Sequence, residues 1–277
     1  MRCRIIALLL AATGVLCAQS ATLPPTYGVQ TRFNTGQDVV PSFEGWFRNT
    51  DGTYTMVFGY MNRNYQEEPV IAVGPDNKVE PGSVDQGQPT FFLPRRHAWV
   101  FFAKVPADFG NKELVWSITA HGRTEKAYGQ LLMEEEILQR VIQSRGNLNP
   151  GLENPNKPPT LKVAPVTTAG VGASFPLNVD VSDDGLPKAR VPKARTVTTS
   201  GTAQTNAAVG RRLPLNVTWM QYRGPAKAIF EPTEPVIVNA GKSPASVRFS
   251  QPGIYILRAT ANDGELQTTA DVTVTVK

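Results

Sequence analysis

The sequence predicts an all-β protein: two sandwich-like domains joined by a short helix and a Pro/Asn-rich linker. Three observations carry this. Apolar and polar residues alternate with period two in stretch after stretch, as in TYTMVFGYMN (53–62) and DVTVTV (271–276). Asp-Gly pairs at 51–52 and 263–264 punctuate those stretches as turns. Helical spacing of apolar residues occurs in one place, MEEEILQRVIQSRG (133–146).

Residues 1–21 read as a secretory signal peptide, with a basic start (MRCR), an apolar run (IIALLLAATGVLCA) and small residues after it. The run is short for a membrane span, and no second stretch of spanning length follows. Leu16 before Cys17 does not suit a lipid-attachment signal, which wants a small residue there. Both cysteines, Cys3 and Cys17, fall in this segment, so an exported mature chain holds together by core burial without disulfides. Loss of Arg2 and Arg4 leaves 26 basic residues against 23 acidic, a net charge of +3 rather than +5. The adjacent arginine pairs 95–96 and 211–212 lie in no dense basic run, which argues against nucleic acid as a partner.

A polar lead-in covers 22–42. Over 43–132 every clear element reads as a strand. Asp51-Gly52 closes one hairpin, in which Tyr54, Met56, Phe58 and Tyr60 share a face and Thr55, Val57 and Gly59 the other. HAWVFFAKVP (97–106) is apolar on both faces and is expected to be covered on both. Strands 113–120 and 126–132 form a second hairpin through His121-Gly122-Arg123. A helix of about three turns is predicted over 133–145, with Glu136 and Arg140 as an i,i+4 pair and Gly146 as its stop. The linker NLNPGLENPNKPP ends near 157, and residues 158–277 are β again, interrupted over 186–212 by an Ala/Thr/Gly-rich insertion that repeats PKAR.

The stretches VDVSDDGLP, VTWMQYRGPAKAIFEP and VRFSQPGIYILRATANDGELQTTADVTVTV fall in order within 158–277, and this region resembles the PKD (polycystic kidney disease) type of immunoglobulin-like domain. The resemblance implies a seven-strand sandwich. Its last strand would turn Val272, Val274 and Val276 inward, with Tyr255 and Leu257 beside them and Trp219 between the sheets. The amino-terminal region, through GWFRNTDGTY, FGYMNRN and DQGQPTFFLPRR, resembles an uncharacterised family of exported bacterial proteins, which implies export but no activity.

No catalytic constellation stands out. Two histidines and no mature cysteine leave a zinc site short of ligands, and there is no H-E-x-x-H or G-x-S-x-G. Glu67-Glu68 and Glu134–Glu136 are the carboxylate clusters that a hydrolase would use, and neighbouring residues on a chain diverge in direction. Asp183, Asp184 and Asp263 are weak candidates for Ca²⁺, and as Asp-Gly turns they serve equally as turn formers. No metal or other cofactor is implied. Trp46, Tyr54, Tyr60, Tyr65, Trp99 and Trp116 would suit a glycan if exposed and a core if not. The polar loops around Asn62, Arg63, Asn64, Asp85, Gln86 and Gln88 are costly to bury and are the candidate ligand site, with a buried network that fixes loop geometry as the alternative. The expected function is a non-enzymatic binding, adhesion or spacer protein of the bacterial envelope, periplasmic or extracellular, with an envelope protein or glycan as partner. A carbohydrate-binding accessory protein and a hydrolase with carboxylates in the amino-terminal domain are the alternatives.

Overall fold

Six strands form from the first alternating stretches: β1 (Val39–Arg48), β2 (Tyr54–Asn62), β3 (Asn77–Glu80), β4 (Arg95–Val105), β5 (Leu114–Ala120) and β6 (Arg123–Gly129). They make two antiparallel three-stranded sheets, β1-β2-β4 and β3-β5-β6. The computed structural model describes residues 32–146, 155–163, 168–188 and 213–277. The signal peptide, part of the linker (147–154) and most of the insertion (189–212) lie outside the described residues. Met56, Phe58 and Tyr60 meet Phe92, Phe101 and Trp116 between the two sheets. Phe58 stacks on Phe101 with centroids 5.7 Å apart and stands edge-on to Trp116 at 6.0 Å. Each such buried side chain contributes about 1.5–3 kcal/mol.

Local chemistry sets the turns. Asp51 Oδ1 accepts a hydrogen bond from the Thr53 backbone at 3.1 Å, and Gly52 takes φ 81°. Gly52 is the one left-handed residue of that hairpin, so the loop is a turn closed by a glycine rather than a primed turn with two left-handed residues. The second hairpin is tighter than expected: β5 and β6 are joined by His121 and Gly122 alone, both left-handed at φ 49° and 75°. Strand β4 is fully covered on one face and partly on the other, where its cross-strand partner Val57 is buried. Phe101, Ala103 and Val105 are buried, whereas Phe102 is 37% exposed.

β4 also carries a bulge. Phe58 pairs with Phe101 and Tyr60 with His97, so Gly59 alone stands opposite Ala98, Trp99 and Val100. A Cβ on Gly59 would lie 2.5 Å from the His97 carbonyl oxygen, which leaves glycine as the residue that fits there. Trp99 is driven to φ 52°, a strained value for a bulky side chain.

The predicted three-turn helix is shorter. A 3₁₀ turn at Met133–Glu135 precedes α1 (Gln139–Gln143). Between them the backbone extends, because the Ile137 N–H bonds the Trp46 carbonyl at 2.7 Å and ties the segment to the edge of β1. Glu136 pairs with Arg48, not Arg140. Gly146 does end the element in a left-handed conformation, φ 75°.

The carboxy-terminal strands are β7 (Thr160–Val163), β8 (Thr168–Ala169), β9 (Phe175–Leu177), β10 (Val179–Ser182), β11 (Asn216–Arg223), β12 (Ala228–Glu231), β13 (Val236–Ile237), β14 (Ala245–Phe249), β15 (Gly253–Asn262) and β16 (Gln267–Val276). One layer follows β7–β10 and β9–β14–β12; the other runs β13-β11-β15-β16-β8. This is the A-B-E-D and C-F-G order of an immunoglobulin-like sandwich, with β8 added parallel to β16. Val272, Val274 and Val276 point inward with Tyr255 and Leu257, as alternation demands. Trp219 lies between two clusters of that core and contacts both. Its indole N–H is buried and has no acceptor among the described residues. Residues Phe33–Lys277 form one compact unit.

Replacing Trp219 with Ala should destabilise the protein by about 3–5 kcal/mol in urea unfolding. Trp219→Phe should cost well under half of that, because it also removes a buried donor that makes no bond. Equal costs for the two variants would contradict the packing described.

Candidate functional site

Strand alternation decides what the outer face of the immunoglobulin-like sheet presents. On β15, Tyr255, Leu257, Ala259 and Ala261 face inward and are fully buried, so Ile256 and Arg258 face out. On β11, Val217 and Trp219 face inward and Tyr222 outward. Tyr222 nevertheless is 4% exposed, because it and Ile256 join the aromatic core of the amino-terminal sheets. The site that the sequence marks with polar loops is built around this contact.

The DQGQPT loop meets β11 directly. Thr90 and Phe91 donate their backbone N–H groups to the Tyr222 carbonyl at 3.1 and 3.3 Å. The Tyr222 hydroxyl donates to the Gly87 carbonyl at 2.6 Å. Arg223 donates to both carboxylate oxygens of Asp85 at 2.9 and 2.8 Å and to the Gln88 carbonyl at 2.7 Å. Arg258 closes the other side. Its guanidinium lies 3.9 Å from the Tyr222 ring centroid, grips Asp271 at 2.7 and 2.8 Å, and donates to the Val100 carbonyl at 2.6 Å. Val100 belongs to the β4 bulge, whose irregular pairing places its carbonyl within reach of Arg258. Lys227 adds an ion pair to Glu68 at 2.6 Å.

Within the loop, Gln88 is fully buried. Its amide accepts from the Gln86 N–H at 2.8 Å and donates to the Val84 and Asn77 carbonyls at 2.9 and 3.3 Å. Gln86 donates to the Val79 and Pro81 carbonyls, and Asp85 accepts from the Gly87 N–H. Gln86 also lines an open cavity of about 500 Å³ with Lys104 and Phe109. The NRN residues form a second, separate network. Asn62 and Asn64 are fully buried. Asn62 donates to the Glu67 and Phe92 carbonyls and accepts from Asn64, which in turn pairs with both backbone groups of Gln37. Arg63 points outward, its side chain half exposed, and pairs with Asp38 at 3.3 Å. The structure therefore unites Asp85, Gln86 and Gln88 in one place and Asn62 with Asn64 in another; the segment 88–92 connects the two. Sequence reasoning did not single out Tyr222, Arg223 and Arg258. Their signal was present: large residues on the outer face of strands whose inner face is already apolar.

The remaining candidates resolve individually. Trp46, Tyr60 and Trp116 are buried. Tyr65 is 38% exposed and lies 4.2 Å beneath the Arg95 guanidinium. Tyr54 stands edge-on to Trp46. Trp99 is half-buried in a groove described below. Glu67 pairs with His121 at 2.9 Å, so Glu67 and Glu68 part in direction. Asp183 and Asp184 accept from the Gly185 and Leu186 N–H groups, and Asp263 from those of Glu265 and Leu266, all as turn formers. Among the described residues no group of three or more His, Cys, Asp and Glu side chains is placed to hold a metal. Asp183 Oδ1 and Asp263 Oδ2 are buried without a hydrogen-bond partner among the described residues. Burial, and then the charges of Asp263 and Asp184, raise the Asp183 carboxyl above its ordinary range.

Two titrations bear on the joint. The Arg223 guanidinium holds the Asp85 carboxyl below its ordinary value of 3.8. Burial pushes the Tyr222 phenol from 10.0 to about 12. The Asp85 contribution is complete above pH 3.8 and is lost as pH falls through its lower folded value; the Tyr222 contribution is complete below pH 10.0 and is lost as pH rises toward about 12.

No protein-family model matches the chain, and no curated protein matches it. Among solved structures it is similar to domains 4 and 5 of the S-layer protein SbsC, at 9% identity and a TM-score of 0.25 over 60% of this chain and 65% of that one. It is also similar to a conjugative transposon lipoprotein from Bacteroides eggerthii, at 12% identity and a TM-score of 0.25 over 42% and 96%. Titin domains Z1Z2 in complex with telethonin match at 10% identity and a TM-score of 0.26 over 86% and 96%. The immunoglobulin-like assignment rests on strand order, not on these likenesses.

Arg223→Ala should lower stability by about 1–3 kcal/mol, since it also strands the Gln88 carbonyl; Asp85→Ala, whose side chain is 57% exposed, should cost less than about 1 kcal/mol. Asp183→Asn should raise stability at neutral pH, because it removes one of two neighbouring carboxylates, each with a buried oxygen that no donor among the described residues meets. Chemical denaturation of the three variants checks both expectations, and a destabilised Asp183→Asn would contradict the electrostatic account.

Proposed function

We propose that this chain is an exported, non-enzymatic structural module of the bacterial envelope, in which a PKD-type immunoglobulin-like domain is clamped to an amino-terminal β domain to make one stiff spacer or presentation unit. The observation that carries the reading is the joint itself. The polar loop 85–90 directs its side chains and backbone at Tyr222, Arg223 and Gly224. In this reading the polar density of the 85–90 loop serves a contact between two sheets rather than a ligand. Of the carboxylates that a hydrolase would use, Glu68 pairs with Lys227 and Glu136 with Arg48, and Glu67 lies 2.9 Å from the His121 ring. A ligand role remains open to Arg63, whose guanidinium is half exposed.

The export reading is supported by the amino-terminal sequence, and no helix among the described residues is long and apolar enough to cross a membrane. Under this proposal the domain boundary falls in the 133–157 segment, yet the two domains unfold together.

Scanning calorimetry of the exported chain should show one cooperative transition at neutral pH. In an Arg223→Ala/Arg258→Ala variant the transition should split in two. Two separate transitions in the wild-type chain would overturn the spacer reading. Fractionation of cells producing the full chain should recover it outside the cytoplasmic membrane.

A further inference from the structure

The outer face of the β1-β2-β4 sheet is set by register. Phe47 pairs with Thr55 and Val57 with Phe102, so Phe47, Thr55 and Phe102 share the face opposite the aromatic core. α1 crosses one side of this face. The start of β16, Gln267–Thr269, closes the other. Between them is a groove of about 380 Å³, within the range of small-ligand sites.

Its lining is unusual in kind. Phe47, Trp99 and Phe102 supply aromatic surface, and Gln143, Gln267 and Thr268 supply amides and a hydroxyl; among the described residues no ionisable side chain lines it. The amides of Gln143 and Gln267 bond to no group among the described residues. Trp99 is held there by the bulge, which forces φ 52° on a bulky residue, and by Gly146, where a Cβ would lie 2.9 Å from the indole. Backbone strain maintained by surrounding structure is a mark of sites where a side chain must be placed. The same bulge delivers the Val100 carbonyl to Arg258, so the joint between the domains fixes the position of Trp99.

We propose that this groove binds a neutral oligosaccharide segment. A sugar ring offers an apolar C–H face, which stacks on aromatic rings, and a rim of hydroxyls, each donor and acceptor, which match carboxamides and threonine hydroxyls. The uncharged lining provides nothing to offset a carboxylate, sulfate or phosphate, and its polar groups would be left unpaired by a wholly apolar ligand. The proposal goes beyond the spacer reading and does not depend on it, since the groove exists whether or not the chain spaces anything.

The test is an array of neutral and acidic oligosaccharides probed with the exported chain, followed by calorimetric titration of the best neutral hexasaccharide. Gln143→Ala and Gln267→Ala should each weaken binding about fivefold, the loss expected for one hydrogen bond, with unchanged melting temperature. Trp99→Ala should weaken it further. Tyr128→Ala, an aromatic 54% exposed on β6, should have no effect. Should Trp99→Ala fail to fold, the two glutamine variants decide the matter. Binding that ignores them, recognition of acidic glycans alone, or no neutral glycan bound would each overturn the proposal.

Discussion

Everything distinctive about this molecule depends on covering the outer face of the β11-β15-β16 sheet. An immunoglobulin-like sandwich needs only its inner face buried, and here that face is complete with Tyr255, Leu257, Val272, Val274 and Val276. Placing Tyr222 and Ile256 on the opposite face creates a second apolar surface that water would solvate poorly. The amino-terminal sheets cover it, and Tyr222 becomes part of their core. Apolar contact supplies the attraction; the guanidinium groups of Arg223 and Arg258 supply register, since planar bidentate pairs fit in one geometry only.

That arrangement accounts for the density of buried amides nearby. The tip of the loop faces solvent, but its two ends are buried at Val79 and at Gln88 and Pro89, where backbone carbonyls must find donors inside the protein. Gln88 and Gln86 satisfy four carbonyls between them. Asn77 serves two more, at Ile71 and Pro89, while its side-chain Oδ1 accepts from the Trp116 indole N–H at 3.0 Å. The amides thus carry the loop across the joint in one conformation, and that conformation exposes the Asp85 carboxylate to Arg223.

Much of the fold was legible in the sequence because its determinants are local. Asp51-Gly52 announces a turn within a few residues, and the Thr/Val alternation of 271–276 sets its own inward face. The sandwich over 158–277 was implied by a family resemblance that several motifs in order carry, while the order of its strands came from the structure. The joint was not legible for a physical reason: Asp85 and Arg223 are 138 residues apart, and no local pattern marks one as the partner of the other. The β4 bulge was equally hidden, because three residues opposing one leave no trace in periodicity except Gly59 on the neighbouring strand. Helical spacing over 133–145 overstated α1, since a backbone bond from Ile137 to Trp46 outweighs the helix propensity of a segment too short to be helical alone.

The central claim is that the loop 85–91 is locked to β11 rather than lying loosely beside it. Amide hydrogen exchange of Thr90 and Phe91 in the intact chain measures this most directly, because both N–H groups bond across the joint to the Tyr222 carbonyl. Protection comparable to that of the central residues of β15 is predicted, with opening of the joint requiring unfolding of the unit. Exchange of these two amides at the rate of an exposed loop, while β15 remains protected, would contradict the account.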